Sequence, residues 1–377
     1  MHLFNAIDRA TYKKAVEAGY IKVQSHPDIP GYTIHNYTDA CTWDQAWDEA
    51  TLNCRGLITD DDGDIIARGM PKFFNSDQEQ APKFSLEDEV IVSDKADGSL
   101  GILYYTPDFK EAIATRGSFA SDQAIWATKW WNENRPPIEN LKPDPLVENG
   151  YFSMEGWTFL FEIIYPENRI VVDYGGKEGL VLIGAVRNED GLFQPLGITG
   201  VDSAPRYSYR TWGEVLAAPA RPNAEGFVVT RISDAAMVKI KYEDYKRLHK
   251  YMTRVTEKHV WEVLSTEGDL DAEFAGAPDE FHVWIREVAK QLWAEFEKRH
   301  LQIILDYRAI RFGKDEALFE VEDEREAKKN FAMAIKDEKD KGYYFTCFGD
   351  GSIASAVWKE LKPSGGQTFR VVSSDAD

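Results

Sequence analysis

The sequence has few of the features that mark membrane, secreted or zinc-dependent proteins. No apolar run in its 377 residues reaches the about 18 residues of a membrane-spanning helix, and its first residues lack the order of a signal peptide. The three cysteines, Cys41, Cys54 and Cys347, and the seven histidines follow no spacing typical of a zinc site or a disulfide framework. We therefore expect free, buried thiols, a cytoplasmic location and no membrane partner.

Positive charge is also scarce. Lys and Arg total 44 against 64 Asp and Glu, which gives a net charge of −20. A protein that coats nucleic acid without preference needs a basic surface to displace the counterions of the phosphates, so the composition disfavours that class. The net charge is still compatible with a local basic groove in an otherwise acidic protein. No GxxxxGK[ST] loop is present, which argues against a P-loop kinase or helicase.

What the sequence does contain predicts an α+β protein of two domains. Hydrophobic residues make up 43% of the chain and aromatic residues 13%, enough for two cores. Residues 1–245 alternate turns with β-like runs, namely CRGLITD, EVIVSD, LGILYY, EAIATR, TFLFEII, RIVVDY, LVLIGAVR, GFVVTR and MVKIKY. Beyond them Phe281, Ile285, Leu292 and Phe296 follow helical spacing. Residues 246–377 are therefore predicted to form a mainly helical second domain.

Charged residues interrupt several of these strands. SDKADGSLGILYY, residues 93–105, predicts strand, turn and strand with Lys95 in the turn. Glu162 lies inside TFLFEII, where a buried carboxylate is costly unless it is paired. Lys239 and Lys241 share one face of MVKIKY and repel each other unless an anion lies between them. Each residue alone is more often a solvated edge residue, and a lone KxDG string is a weak signal.

The ordered set is more specific than its members. Lys95, Arg116, Glu162, Glu225 with Gly226, and Lys239 with Lys241 all fall in strands or at strand ends. KADG resembles the KxDG motif of ATP-dependent ligases and capping enzymes. LNCRGLI, KFFN, KADGSL, TRGS, FEIIYPENRIVVDY, EGFVV and KIKYEDY have counterparts, in that order, in the RNA ligase 1 family of tailed bacteriophages. The resemblance covers roughly residues 35–245.

This resemblance implies a fold and a reaction. The fold would be an N-terminal nucleotidyltransferase (ATP-grasp-like ligase) domain of antiparallel sheets with helices, residues 1–245, followed by a helical C-terminal domain, residues 246–377. Lys95 would attack the α-phosphate of ATP, AMP would pass to an RNA 5′-phosphate, and an RNA 3′-hydroxyl would displace AMP. The residues implied to line the ATP site are Tyr37, Arg55, Lys72, Phe74, Lys95, Gly98, Arg116, Glu162, Glu225, Gly226, Lys239, Lys241 and Tyr245. Arg116 departs from the family, in which we expect lysine at this position.

Individual roles follow from the same resemblance. Lys239 would contact the α-phosphate and Arg55 and Lys72 the leaving phosphates, while Glu162 would accept from the ribose hydroxyls. Glu225 is the candidate ligand for Mg²⁺ or Mn²⁺. Asp97 either orients the turn or touches metal. Because lysine must be neutral to attack, we expect surrounding cations to disfavour the charged form of Lys95.

The implied partner is RNA with 5′-phosphate and 3′-hydroxyl ends, such as a broken tRNA anticodon loop, prepared by a separate kinase and phosphatase. The protein would be a phage-encoded monomer in the bacterial cytoplasm. Two alternatives share some of these residues. One is a DNA ligase or mRNA capping enzyme, although those enzymes usually append an OB-fold where this chain predicts helices. The other is a decayed, non-catalytic RNA-binding protein.

Overall fold

The computed structural model describes residues 1–135, 156–196, 200–274, 279–313 and 319–364. The chain divides into two compact units, the first ending at His249 and the second beginning at Lys250. The first unit combines sheets with short helices and the described part of the second is helical, so the predicted α+β class is confirmed.

In the part of the first unit that the structure describes, the strands form three sheets. Its strands are β1 (Ile21–Ser25), β2 (Thr33–Tyr37), β3 (Arg55–Thr59), β4 (Ile65–Ala67), β5 (Phe74–Asn75), β6 (Val90–Asp94), β7 (Ser99–Tyr105), β8 (Glu111–Ala114), β9 (Trp157–Ile164), β10 (Gly179–Arg187), β11 (Phe193–Gln194), β12 (Arg206–Tyr207), β13 (Gly226–Arg231) and β14 (Met237–Lys241). Their orders are β1-β2-β3-β4, β11-β10-β9-β7-β8 and β12-β6-β13-β14-β5. Neighbouring strands run antiparallel except β14 and β5, which run parallel.

Short helices accompany these sheets. They are α1 (Leu3–Ala6), α2 (Arg9–Glu17), α3 (Asp39–Trp43), α4 (Glu49–Asn53), α5 (Asp122–Asn134), α6 (Trp212–Ala217) and α7 (Glu243–Arg254). Most begin at a side-chain cap; Ser121, for example, accepts from the Ala124 N–H at the start of α5. The main core lies where the sheets meet, and it joins Ile58 of β3, Ile102 of β7 and Leu160 of β9, all fully buried. Val, Ile and Leu at alternate strand positions thus fix which faces meet.

The chain passes from one sheet to another at Lys95. The predicted strands on both sides are present, but β6 pairs with β12 and β13 whereas β7 pairs with β8 and β9. The turn therefore bridges two sheets and closes no hairpin, because both strands find partners elsewhere. This places Lys95 at the junction of the two five-stranded sheets.

The run RIVVDY, residues 169–174, was predicted as a strand, and that prediction is wrong. After a single 3₁₀ turn, Pro166–Asn168, the chain forms an irregular loop. The N–H groups of Val171 and Val172, at 2.8 and 2.7 Å, donate to the Asp97 carboxylate instead of to a neighbouring strand. The run is rich in Ile and Val, so composition alone suggested a strand. These apolar side chains are buried, but in the loop.

The second unit continues with helices. They are α8 (Glu257–Ser265), α9 (Leu270–Glu273), α10 (Asp279–Arg311), α11 (Glu324–Ala334), α12 (Lys341–Phe348) and α13 (Ala354–Glu360). The predicted helical spacing is confirmed in α10, where Phe281, Ile285 and Leu292 are buried together. Trp358 of α13 stacks on Phe296 of α10, with ring centroids 4.5 Å apart.

Among the helices of the described residues, none combines the length and the apolar character needed to cross a membrane. The three cysteines are free thiols; Cys41 and Cys54 are buried and Cys347 is half-buried.

Candidate active site

A cavity in the first unit collects most of the residues singled out in the sequence. It opens where β6, β9, β13 and β14 end or approach one another. The predicted site residues that line it are Arg55, Lys72, Lys95, Gly98, Glu162, Glu225, Lys239 and Tyr245. Cationic and acidic groups from three sheets thus converge on one space with the Tyr245 side chain of helix α7.

The other predicted residues lie in the wall behind this lining. The hydroxyl of Tyr37 accepts from Lys72 Nζ at 3.3 Å and from Arg116 Nη1 at 3.0 Å. The Lys72 ammonium lies 5.8 Å from the centroid of the Phe74 ring. Lys241 contacts Glu225, and the carbonyl oxygen of Gly226 accepts the Lys95 N–H at 3.1 Å.

Arg116 takes up a supporting position. It is buried, and its guanidinium carbon lies 5.1 Å from the Tyr37 ring centroid. Burial acts to raise the pKa of Tyr37, but Arg116 and then Arg55 and Lys72 outweigh it, so that the pKa lies below the usual tyrosine value. A planar guanidinium can stack on the ring and donate to the hydroxyl at once, which an ammonium does less well.

The Lys95 amine forms an ion pair with a carboxylate. Its Nζ lies 2.7 Å from Glu225 Oε1, and Lys241 Nζ reaches the same oxygen at 3.2 Å. Burial disfavours the charged amine, but Glu225 and then Glu162 outweigh burial and raise the pKa of Lys95 above the ordinary lysine value. The expectation of an amine held neutral by surrounding cations is therefore wrong for this arrangement, because the ion-pair partner of Lys95 is a carboxylate.

Gly98 brings the turn against strand β9. Its N–H donates to Glu162 Oε1 at 2.9 Å. A Cβ at this position would lie 2.4 Å from the carbonyl oxygen of Ile163, so no larger residue fits without a shift of the backbone. Burial raises the pKa of Glu162 to about 7, with Lys95 opposing the shift and Glu225 adding to it.

Asp97 anchors the turn. It is 3% exposed, and its Oδ2 accepts from the Val171 and Val172 N–H groups while its Oδ1 accepts from the Tyr245 hydroxyl at 2.7 Å. Burial, followed by the charge of Glu225, raises its pKa to about 6. Of the two roles left open by the sequence, this geometry favours orientation of the turn, because both oxygens already accept hydrogen bonds.

Sequence reasoning missed the apolar part of the lining and three polar members. The missed residues are Met70, Phe73, Ser93, Asp94, Ala96, Leu100, Ile170, Ile183, Phe193, Val228 and His249. A signal existed for Val228, which pairs in register with Lys239 and so shares its face of the sheet. Ile183 lies at an irregularity between Leu182 and Gly184 in the pairing of β10 with β9, and no sequence pattern marked it.

The lining fits a ligand that has an apolar ring and several anionic groups. Among the described residues, Arg55 Nη1 is buried without a hydrogen-bond partner, although a buried polar group normally has one. Burial lowers the pKa of Arg55 from its usual value. An anionic oxygen in the cavity would satisfy this donor, and Lys239 and Lys72 line the same space.

The cavity offers little for a metal ion bound by protein alone. Within the described parts of the chain, no group of three or more His, Cys, Asp or Glu side chains could hold an ion. Glu225 is 2% exposed and lines the cavity, so it can supply one carboxylate. Mg²⁺ usually takes one or two carboxylates together with substrate phosphates, so the site fits a metal ion that shares its ligands with a nucleotide.

Comparisons with known proteins find similarity to RNA ligases. The family model described as RNA ligase matches residues 53–268. The RNA ligase of Rhodothermus phage RM378 is 24% identical over an alignment that covers 83% of this chain and 84% of that protein.

Solved structures of two ligases are also similar. An archaeal ATP-dependent RNA ligase is 14% identical, with 88% of each chain covered and a TM-score of 0.41. A lysine-to-alanine mutant of Naegleria gruberi RNA ligase with ATP and Mn is 16% identical, with 44% of this chain and 52% of that chain covered and a TM-score of 0.32.

Proposed function

Because the chain belongs to the RNA ligase family, we propose that it uses ATP to join an RNA 5′-phosphate to an RNA 3′-hydroxyl. The observation that carries this proposal is the position of the Lys95 amine. It lies beside Glu225 in a cavity that Lys239, Arg55 and Lys72 also line. An amine nucleophile among phosphate-binding cations suits the transfer of a nucleotidyl group to lysine.

Three steps follow from this arrangement. The Lys95 amine loses a proton and attacks the α-phosphate of ATP, so that an N–P bond forms and pyrophosphate leaves. An oxygen of the RNA 5′-phosphate then displaces lysine and takes AMP. Finally the RNA 3′-hydroxyl attacks that 5′-phosphate, AMP leaves, and a phosphodiester bond joins the two ends.

Glu225 governs the first step because it holds the protonated form of Lys95. A divalent cation, Mg²⁺ or Mn²⁺, would supply positive charge at Glu225 and on the triphosphate. Once Glu225 no longer faces Lys95, the nearby cations Lys239 and Lys241 favour the neutral amine. The amine thus stays protonated and unreactive until the nucleotide is in place.

The remaining side chains suit the parts of a nucleotide. Lys239 would contact the α-phosphate, and Arg55, with its unpartnered Nη1, and Lys72 would contact the leaving phosphates. Glu162 would accept a hydrogen bond from a ribose hydroxyl, which adds a second donor to the Gly98 N–H. Phe73 and the aliphatic lining would contact the base.

Further parts of the proposal concern partners. The helical second unit, residues 250–364 as described, would select the RNA, for example a broken tRNA anticodon loop. A separate kinase and phosphatase would prepare the ends. The protein would act as a monomer in the bacterial cytoplasm during phage infection.

The test is intact-mass measurement after incubation with ATP and Mg²⁺ or Mn²⁺, followed by peptide mapping. We expect the addition of one AMP at Lys95. To separate the alternatives, labelled ATP and GTP are offered with single-stranded 5′-phosphate RNA and with nicked DNA. Label from GTP would favour a capping enzyme, sealing of only the nicked DNA would favour a DNA ligase, and no adduct at all would favour a non-catalytic RNA-binding protein.

A further inference from the structure

One guanidinium group behind the cavity contacts the last residue of β6, the first residue of β13 and the residue that follows β14. Arg221 Nη2 donates to Asp94 Oδ1 at 2.5 Å and to the carbonyl oxygen of Gly226 at 3.0 Å. Its Nε donates to the hydroxyl of Tyr242 at 3.1 Å. Arg221 lies outside the motifs quoted above and is not among the residues that line the cavity.

Each acceptor is the chain neighbour of a residue assigned to the reaction. Asp94 adjoins Lys95, Gly226 adjoins Glu225, and Tyr242 adjoins Lys241. The same carbonyl oxygen of Gly226 also accepts the Lys95 N–H. Arg221 therefore hydrogen-bonds to the direct chain neighbours of Lys95, Glu225 and Lys241. In that group the Lys95 and Lys241 Nζ atoms lie 2.7 and 3.2 Å from Glu225 Oε1.

Three aromatic rings lie close to the guanidinium. Its carbon lies 4.6 Å from the Tyr207 ring centroid, 4.9 Å from that of Phe227 and 5.7 Å from that of Tyr242. The hydroxyl of Tyr207 also accepts from Nη1. A planar fork with five donors can meet all these partners together, whereas the compact ammonium of lysine cannot.

We propose that Arg221 is a positioning residue for the adenylylation of Lys95. It holds the ends of β6, β13 and β14 together, so that the amine, Glu225 and Lys241 keep the separations needed for attack on the nucleotide. The inference rests on the proposed function, because it concerns the first step of that reaction. Arg221 itself does not line the cavity.

The chain contains a matched control at the other end of β13. Arg231 Nη1 donates to Asp88 Oδ2 at 2.9 Å, its Nη2 donates to Asp234 Oδ2 at 2.8 Å, and its guanidinium carbon lies 4.5 Å from the Phe84 ring centroid. It has the same kinds of contact as Arg221, but none of its acceptors adjoins a site residue. Arg221→Lys and Arg231→Lys should therefore destabilise the fold by similar amounts.

The experiment measures the single-turnover rate of AMP transfer to Lys95 at several ATP concentrations, with thermal unfolding of each variant recorded in parallel. We expect Arg221→Lys to lower the rate at saturating ATP by about 100-fold, as misplacement by about 1 Å does elsewhere, with little change in the ATP concentration for half-maximal rate. Arg231→Lys should react like the wild type.

Equal rates for the two variants would overturn the inference, as would a loss in Arg221→Lys that merely follows its unfolded fraction. Failure of the wild type to form any adduct would instead overturn the proposed function. Tyr242→Phe adds a second measurement, because it removes only the hydroxyl that accepts from Arg221. Combined with Arg221→Lys, it should lower the rate no further than Arg221→Lys alone; independent, additive losses would count against a shared positioning role.

Discussion

Replacing Glu225 with glutamine should lower the pKa of Lys95. The Lys95 amine and Glu225 Oε1 are 2.7 Å apart, with side chains 20% and 2% exposed. At that distance two unit charges attract by about 6 kcal/mol at an effective dielectric constant of about 20. Water at the exposed end of Lys95 reduces this value, and about half of it still corresponds to two pKa units, at 1.36 kcal/mol for each. Lys241, deprived of its carboxylate, would lower the pKa of Lys95 further.

The measurement is competitive acetylation of amines without ATP, followed by peptide mapping. The rate at Lys95 is recorded between about pH 7 and pH 11 and divided by that of a reference amine, because only the neutral amine reacts. In the wild type Lys95 should react more slowly than an ordinary lysine throughout this range, because its pKa is raised. In Glu225→Gln a fall of about two pKa units should raise the relative rate at Lys95 by about 100-fold at any pH below its midpoint.

Asp108→Asn is the control. Lys110 Nζ and Asp108 Oδ2 are also 2.7 Å apart, but their side chains are 79% and 60% exposed. The pKa of Lys110 is raised chiefly by its hydrogen bond to Asp108, and water should keep the effect of losing that bond small. If Lys95 in Glu225→Gln is acetylated no faster than in the wild type, Glu225 does not hold the proton and the account of the first step fails.

Three further predictions concern the same cavity. Lys95→Arg should give no AMP adduct by intact mass although it folds, because guanidinium stays protonated; an adduct would refute Lys95 as the nucleophile. Glu162→Gln should raise the free energy of unfolding above pH 7, without ATP, by at most about 3 kcal/mol. The reason is that a carboxyl with a folded pKa of about 7 stabilises the fold at low pH and loses that contribution between about pH 4.5 and 7. The same pH dependence of chemical denaturation in both proteins would contradict this. Gly98→Ala should lower the free energy of unfolding by about 1–3 kcal/mol and abolish the AMP adduct, because its Cβ would lie 2.4 Å from the Ile163 carbonyl oxygen. Gly342→Ala, whose Cβ would have nothing within 4 Å, should do neither.

Local patterns were sufficient to predict the strands that carry the site. Runs rich in Val, Ile, Phe and Tyr predicted β6, β7, β9, β13 and β14. Three charged residues stood out against them, Lys95 in the turn between two runs and Glu162 and Lys239 inside runs. Burying such groups is unfavourable without partners, so their presence in apolar strands indicated a ligand or a catalytic role. The prediction depended on period and residue type, both of which are local properties.

The pairing of distant segments could not be predicted in the same way. Nothing near Lys95 indicates that β6 and β7 join different sheets, because each takes its partners from distant parts of the chain. The charge state of Lys95 was mistaken for a related reason. Sequence showed two lysines at Lys239 and Lys241, but only the fold shows that Glu225 lies between Lys241 and Lys95.

The buried charged groups that identified the site also lower the stability of the fold. Burial raises the pKa of Glu162 to about 7 and that of Asp97 to about 6, so both carboxyls oppose folding at neutral pH. Asp97 recovers part of this through its hydrogen bonds to Val171, Val172 and Tyr245. Glu162 accepts one hydrogen bond, from the Gly98 N–H, and its cost is partly offset by the charge of Lys95. Nη1 of Arg55 has no hydrogen-bond partner among the described residues. A nucleotide that contacts both groups would therefore stabilise the protein beyond what its apolar contacts supply, because it would provide polar partners for Glu162 and for Nη1 of Arg55.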